Sequence, residues 1–202
     1  MEVPLDGFVI DLVRGDLLIE VQTRGFASMK RKLVKLLDLG HHVRIVHPIP
    51  VEKWIVKVDD DGVELSRRRS PKHGTPIDVF SELVSFPHLV AHPGLEIEVV
   101  LTHEEEHRRH DPTRAWRRHG WVIEERRLIG VVDAIDITGP RDLAALLPGT
   151  LPDPFTTADL GAALARPRRI AQQMAYCLRR AGVIDIAGKQ GNALQYSVAS
   201  SE

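Results

Sequence analysis

The stretch FVIDLVRGDLLIEVQT, Phe8 to Thr23, constrains the fold of this chain more than any other. Two apolar runs flank Gly15-Asp16, the signature of a two-residue hairpin loop with glycine first. Antiparallel pairing outward from that loop sets Arg14 against Leu17, Val13 against Leu18, Leu12 against Ile19, Asp11 against Glu20, Ile10 against Val21 and Val9 against Gln22. Side chains alternate along a strand, so Phe8, Ile10, Leu12, Ile19 and Val21 are predicted to fill a core face. Val9, Val13, Leu18, Asp11, Glu20 and Gln22 share the other. Two carboxylates directly opposed, with Cβ atoms about 5 Å apart, destabilise a sheet unless something offsets them. A divalent cation shared by Asp11 and Glu20 does so. A wet face with the acids solvated, or paired with Arg14, Arg24 or Lys30, does so as well.

Asp11, a tight turn, Glu20-Val21-Gln22, a basic helix and the strand His42 to Ile49 together resemble the PD-(D/E)XK nuclease superfamily. The resemblance implies that Asp11 and Glu20 hold a catalytic Mg²⁺ or Mn²⁺. It places Gln22 where the motif usually has lysine; an amide orients the attacking water but adds no charge. Lys30 and Lys32 on the next helix are the candidates for the missing cation, and the catalytic set it suggests is Asp11, Glu20, Gln22 and Lys30. Asp6 is a second candidate for the first acid, ranked behind Asp11 because it lies too far along the strand to face Glu20.

A chain of 202 residues with 43% hydrophobic content has material for an ordinary globular domain plus a small one. No apolar run approaches the ~18 residues of a membrane span, and no charged segment followed by an apolar one opens the chain. It therefore reads as cytoplasmic, with no membrane partner. Cys177, the single cysteine, excludes an intramolecular disulfide and a multi-cysteine zinc site. The formal net charge of -1 hides an asymmetry: residues 156–198 hold six Lys and Arg against two Asp. LPGTLPDPF, Leu147 to Phe155, precedes that basic segment, and its prolines favour extended chain. The organisation predicted is a nuclease-like domain over 1–147, a linker over 148–155 and a second domain over 156–202.

Ser28 caps a predicted helix over Met29 to Leu39, ended by Gly40. Strands follow at HVRIVHPI and EKWIVKV, then a DDDG turn, a basic loop SRRRSPKHGTP, a short helix IDVFSELVSF and strands from LEIEVVLT onward. Strand, helix and strand in that order give an α/β or α+β core with a mixed sheet and flanking helices. In residues 103–121, His103, His107 and His110 fall at helical spacing with Asp111 behind them, a conceivable metal cluster. Arg108, Arg109, Arg114, Arg117 and Arg118 with Trp116 read equally as a cationic surface for a phosphate backbone or as a segment salt-bridged to Glu104 to Glu106.

The C-terminal segment contains a Thr-capped helix, a turn at Ala165 to Pro167, a helix with Ile170, Met174, Cys177, Leu178 and Ala181 on one stripe, and a hairpin of VIDI with ALQYSV. This order resembles the winged helix-turn-helix superfamily. The resemblance implies DNA as partner, with Arg168, Arg169, Gln172, Gln173, Tyr176 and Arg180 on the groove side of the second helix and Lys189 on the wing. The same fold also serves as a protein-interaction or dimerisation module, and a homodimer is compatible with it. The expectation for the whole is a Mg²⁺-dependent DNA endonuclease, a restriction endonuclease-like phosphodiester hydrolase targeted by a winged helix. The alternative is a non-catalytic DNA-binding protein or transcription regulator that retains a nuclease-like scaffold.

Overall fold

A computed structural model describes residues 3–114 and 119–199. The fold is mixed α+β, a mostly sheet core with flanking helices. Strands β1 (Val3–Leu5) and β2 (Phe8–Ile10) pair with each other as a separate antiparallel hairpin. Strands β3 (Leu12–Arg14) and β4 (Leu17–Val21) close around Gly15, whose φ of 60° at the first loop position is the conformation a glycine-first hairpin loop requires. Their register is Leu12 to Ile19, Val13 to Leu18 and Arg14 to Leu17, as the loop predicts. The ladder stops there. Asp11 breaks the strand, and its Oδ2 accepts the Val21 N–H at 2.8 Å, so the predicted pairs Asp11–Glu20, Ile10–Val21 and Val9–Gln22 do not form.

Helix α1 (Phe26–Asp38) connects β4 to β5 (His42–Val58), which lies parallel to β4 with Leu18 beside Val43 and Glu20 beside Ile45. This is the βαβ crossover expected of the order. In β3 and β4 the face it covers reverses the prediction: Leu18 and Glu20 are buried, whereas Leu12 is 47% and Val21 52% exposed; Ile10, before the break at Asp11, is buried as expected. The apolar stripe of α1, Met29, Leu33, Leu36 and Leu37, is buried, and Lys32 reaches from this helix to Glu20. Period-two alternation identifies two faces, and only the helix decides which one becomes the interior.

α1 also starts earlier than Ser28 suggests. Gly25, at φ 80°, is its N-cap and supplies no side chain. Glu82 takes that role from 57 residues away: its Oε2 accepts the N–H groups of Gly25 at 2.7 Å and Phe26 at 3.0 Å. A carboxylate there satisfies two orphan donors and complements the helix dipole. Ser28 Oγ instead donates to Gly25 O at 2.7 Å.

β5 is a single strand of 17 residues where two were expected. Its partner β6 (Glu64–Arg69) takes up part of the predicted basic loop. Helix α2 (Phe80–Leu83) sits between 3-10 turns at Pro76–Val79 and Pro87–Ala91. β7 (Leu95–His110) and β8 (Trp121–Ile137) complete a sheet ordered β3-β4-β5-β7-β8. Helix α3 (Pro140–Ala144), β9 (Phe155–Thr156), α4 (Thr157–Ala163), α5 (Arg168–Arg180), β10 (Ile184–Gln190) and β11 (Ala193–Val198) follow. The last strands form a further sheet ordered β10-β11-β9. Thr156 and Asp159 make a reciprocal capping box on α4.

The chain separates into two compact units, one of Met1–His47, Pro76–Val99 and Ile135–Glu202, the other of Pro48–Thr75 and Val100–Ala134. The expected linker 148–155 and the segment after it lie inside the first. There, α5 packs on α2 and the neighbouring 3-10 turns, Cys177 Sγ approaches Phe80 O at 3.9 Å, and Arg166 forms an ion pair with Asp78. Phe26 stacks on Phe86 at 5.5 Å and meets His47 edge-on at 5.0 Å. In the second unit, half-buried and buried carboxylates are matched by cations across strands, Glu52 by Arg69 and Glu105 by Arg67. No helix among the described residues is long and apolar enough to cross a membrane.

Glu82→Ala should lower unfolding free energy by about 1–2 kcal/mol, the worth of a helix N-cap, with a larger loss than Ser28→Ala in the same urea titration.

Candidate functional site

Glu20 is only 3% exposed. A carboxylate removed from water must be paired or hydrogen-bonded, and Lys32 Nζ meets Glu20 Oε1 at 2.6 Å while also bonding to the Val9 carbonyl. Successive residues on a helix are 100° apart, so Lys30 and Lys32 leave α1 about 200° apart, and only one of them can face β4. That one is Lys32, with a side chain 18% exposed; Lys30 is exposed to solvent. Lys35, on the same flank as Lys32, lies 5.2 Å from the Phe8 ring centre.

Asp11, half-buried, is held beside this pair by its bond to the Val21 N–H, one residue after Glu20. Gln22 is fixed through its backbone: its N–H donates to Val46 O at 2.9 Å and its carbonyl accepts from His47 Nδ1 at 2.6 Å. That bond requires the proton on Nδ1. Burial pushes the His47 pKa down, against the opposing pull of the Gln22 carbonyl and the carboxylates of Glu82 and Asp78, so the ring is a neutral strut. Asp6 turns elsewhere and meets His41 Nε2 at 2.7 Å.

Asp11, Glu20, Gln22 and Lys32 therefore share one end of β4, and Lys30 does not join them. No group of three or more His, Cys, Asp or Glu suited to a metal occurs among the described residues. Two carboxylates still fit Mg²⁺, which keeps most of its waters and takes one or two protein carboxylates. They do not fit a closed four-ligand zinc site.

The predicted DNA-facing residues divide. Arg168, Arg169, Gln172, Tyr176 and Arg180 are exposed on α5, and Lys189 is exposed near the β10–β11 turn. Gln173 is half-buried, and its Oε1 is shut from solvent without a hydrogen-bond partner, which removes it from a groove-facing set. Arg179, also exposed, belongs to that surface; the helical spacing from Tyr176 signals it. Cys177, inside, has its thiol pushed up to about 12 by burial and is inert.

The histidine segment is strand, not helix. Alternation along β7 sends His103 and His107 to one face and His110 to the other, so the predicted cluster does not assemble. His107 pairs with Glu105 at 3.0 Å, and His103 lies 3.6 Å from Glu52. Arg108 bonds to Glu106 at 2.8 Å. Burial alone would raise the Glu106 pKa, and Arg108, Lys53 and Arg126 together hold it below the ordinary carboxylate range. Arg109 meets Glu124 at 3.1 Å. These two arginines are engaged within the second unit, while Trp116, Arg117 and Arg118 lie outside the described residues.

The Glu20–Lys32 pair should respond asymmetrically to mutation. Lys32→Met strands a buried carboxylate and should cost about 3 kcal/mol, whereas Glu20→Gln frees a lysine that can swing into water and should cost about 1 kcal/mol or less. Equal losses in chemical denaturation would contradict this.

A family model described as a domain of unknown function, DUF8091, matches residues 1–138. An uncharacterized protein of Treponema pallidum (strain Nichols) is 32% identical over 160 residues, 79% of this chain and 63% of that protein. The chain thus spans less than two thirds of this relative's length. No solved structure matches significantly.

Proposed function

The chain belongs to the DUF8091 family, whose description carries no activity, and we propose from the β4 site that it is a Mg²⁺-dependent PD-(D/E)XK-type endonuclease acting on DNA. The observation that carries this reading is the placement of a cation and a second acid at the Glu20 end of β4: Lys32 Nζ on Glu20 Oε1, with Asp11 tied to the next residue of the strand. A structural ion pair explains Lys32 and Glu20 alone. It gives no reason for Asp11 to end its strand beside them.

In this reading Asp11 and Glu20 hold the ion and Lys32 supplies the charge that Gln22 lacks. The ion, when bound, lowers the pKa of a coordinated water and offsets charge on the scissile phosphate. The Lys32 ammonium, held by Glu20, lies ready to stabilise charge developing on the phosphoryl oxygens. The Gln22 amide orients water, and His47 keeps that part of the strand in place.

The C-terminal elements support a winged-helix reading. β9 pairs with β11 and β11 with β10, while α4 and α5 fall between β9 and β10. In this reading α5 enters the major groove with Gln172 and Tyr176 towards the bases, and Arg168, Arg169, Arg179, Arg180 and Lys189 hold phosphates. The family match ends at residue 138, before these elements begin.

One observation favours a second reading, a DNA-binding protein whose nuclease-like scaffold is inactive: Lys32 already neutralises Glu20. Metal binding separates the two. In the nuclease reading Mg²⁺ replaces the lost cation in Lys32→Met and raises its melting temperature more than that of wild type, and Asp11→Asn removes the effect. On supercoiled plasmid, Asp11→Asn, Glu20→Gln and Lys32→Ala should each abolish Mg²⁺-dependent nicking, while Lys30→Ala leaves it within about twofold. No Mg²⁺ effect on melting and no nicking by wild type would remove the nuclease reading.

Arg169→Ala should weaken duplex binding and reduce the slope of log affinity against log salt by about one, the signature of one lost phosphate contact. An unchanged slope and affinity would assign α5 to a protein partner.

A further inference from the structure

Among the described residues β8 ends the strand order β3-β4-β5-β7-β8, so one of its edges presents N–H and C=O groups to solvent. Soluble proteins commonly blunt such an edge with charges or proline. The centre of β8 does the opposite. Leu128, Ile129, Val131 and Val132 are between 53% and 62% exposed, and by alternation Leu128 and Val132 lie on one face, Ile129 and Val131 on the other. Both faces of the strand are therefore open at its middle.

The residues around Gly130 are complementary to themselves. We infer that β8 pairs antiparallel with β8 of a second copy of this chain, the two-fold axis passing through Gly130. In that register Ile129 faces Val131, Leu128 faces Val132 and Arg127 faces Asp133, each pair occurring twice as two-fold symmetry demands. Two-fold symmetry allows the partner to slide only in steps of two residues, and sliding it one way puts Arg127 against Val131. Sliding it the other way puts Ile129 against Asp133. Over residues 127–133 the register centred on Gly130 matches apolar with apolar and cation with anion.

The site is open to such a partner. A Cβ built on Gly130 meets nothing within 4 Å. Arg127 Nε bonds to Glu125 at 2.8 Å along the same strand, and its remaining guanidinium donors are available for Asp133 of the second copy. Asp133 accepts one local bond, from the Ala134 N–H, and keeps its other oxygen. Pairs of residues related by the axis have the same parity along the strand, so the ladder forms whichever set of backbone groups faces outward.

Sedimentation equilibrium from about 1 to 100 µM tests this, since a self-associating chain shifts with concentration by mass action. Wild type should dimerise. Arg127→Asp and Asp133→Arg each turn two attractive pairs into repulsive ones and should weaken the dimer by about tenfold or more. Combining them should restore it, which no unrelated partner strand would produce. Gly130→Cys should give a disulfide-linked dimer on mild oxidation, because opposed residues in an antiparallel pair have Cα atoms within disulfide reach. The native thiol, Cys177, is buried and does not confuse the result. A wild type monomeric throughout, a double variant no tighter than the single ones, or a Gly130→Cys chain that stays unlinked would overturn the inference; recovery of a different protein on this edge in place of a second copy would do the same.

Discussion

A carboxylate buried between β4 and α1 governs how the first unit is put together. Glu20 cannot stay charged away from water without a partner, and its partner sits at one angular position on α1. An apolar stripe alone permits a helix to roll by tens of degrees over a sheet. Lys32 removes that latitude, because its ammonium must reach both Glu20 and the Val9 carbonyl while Met29, Leu33 and Leu36 stay inside. The same bond to Val9 connects the helix to β2 just before Asp11 interrupts the chain. Helix, β2 and β4 are thus positioned by one side chain.

The two units solve the problem of burial by different means. The first relies on aromatic and aliphatic packing, with Phe26, Phe80, Phe86 and Phe155 fully buried. The second is a strand assembly laced with opposite charges, where Trp54 lies beside Arg67 at 5.3 Å and Arg69 at 5.9 Å. The carboxylates are buried and the cations lie towards solvent; besides satisfying those carboxylates, the pairs discriminate between registers, since a slip would oppose like charges.

Features set by neighbouring residues were legible in the sequence. The β3–β4 register follows from Gly15-Asp16, the capping box from Thr156 and Asp159, and the α5 stripe from its helical spacing. What depends on distant partners was not. No local signal says that Glu82 will cap α1, that the acid-bearing face of β4 will be the covered one, or that Lys32 will be chosen over Lys30. Residues 103–110 misled for another reason: His103, His107 and His110 satisfy a helical period, but Glu104 to Glu106 and Arg109 find opposite charges on neighbouring strands, and that pairing decides for strand. Gln173 shows the limit within a correctly read helix, where the rotation of about 100° between consecutive residues separates the exposed amide of Gln172 from one shut from solvent.

The Glu82 cap bears on the order in which this chain folds. A helix pays most for its first turn, and α1 has no local side chain to offset that cost. Its nucleating carboxylate arrives only when the chain between residues 26 and 82 has closed a loop, and loop closure must precede any reward from the contact. A peptide spanning 26–38 alone would therefore remain largely coil. The docking of residues 76–91 then becomes part of the folding nucleus rather than a late addition, and variants at Glu82 would slow folding more than they hasten unfolding.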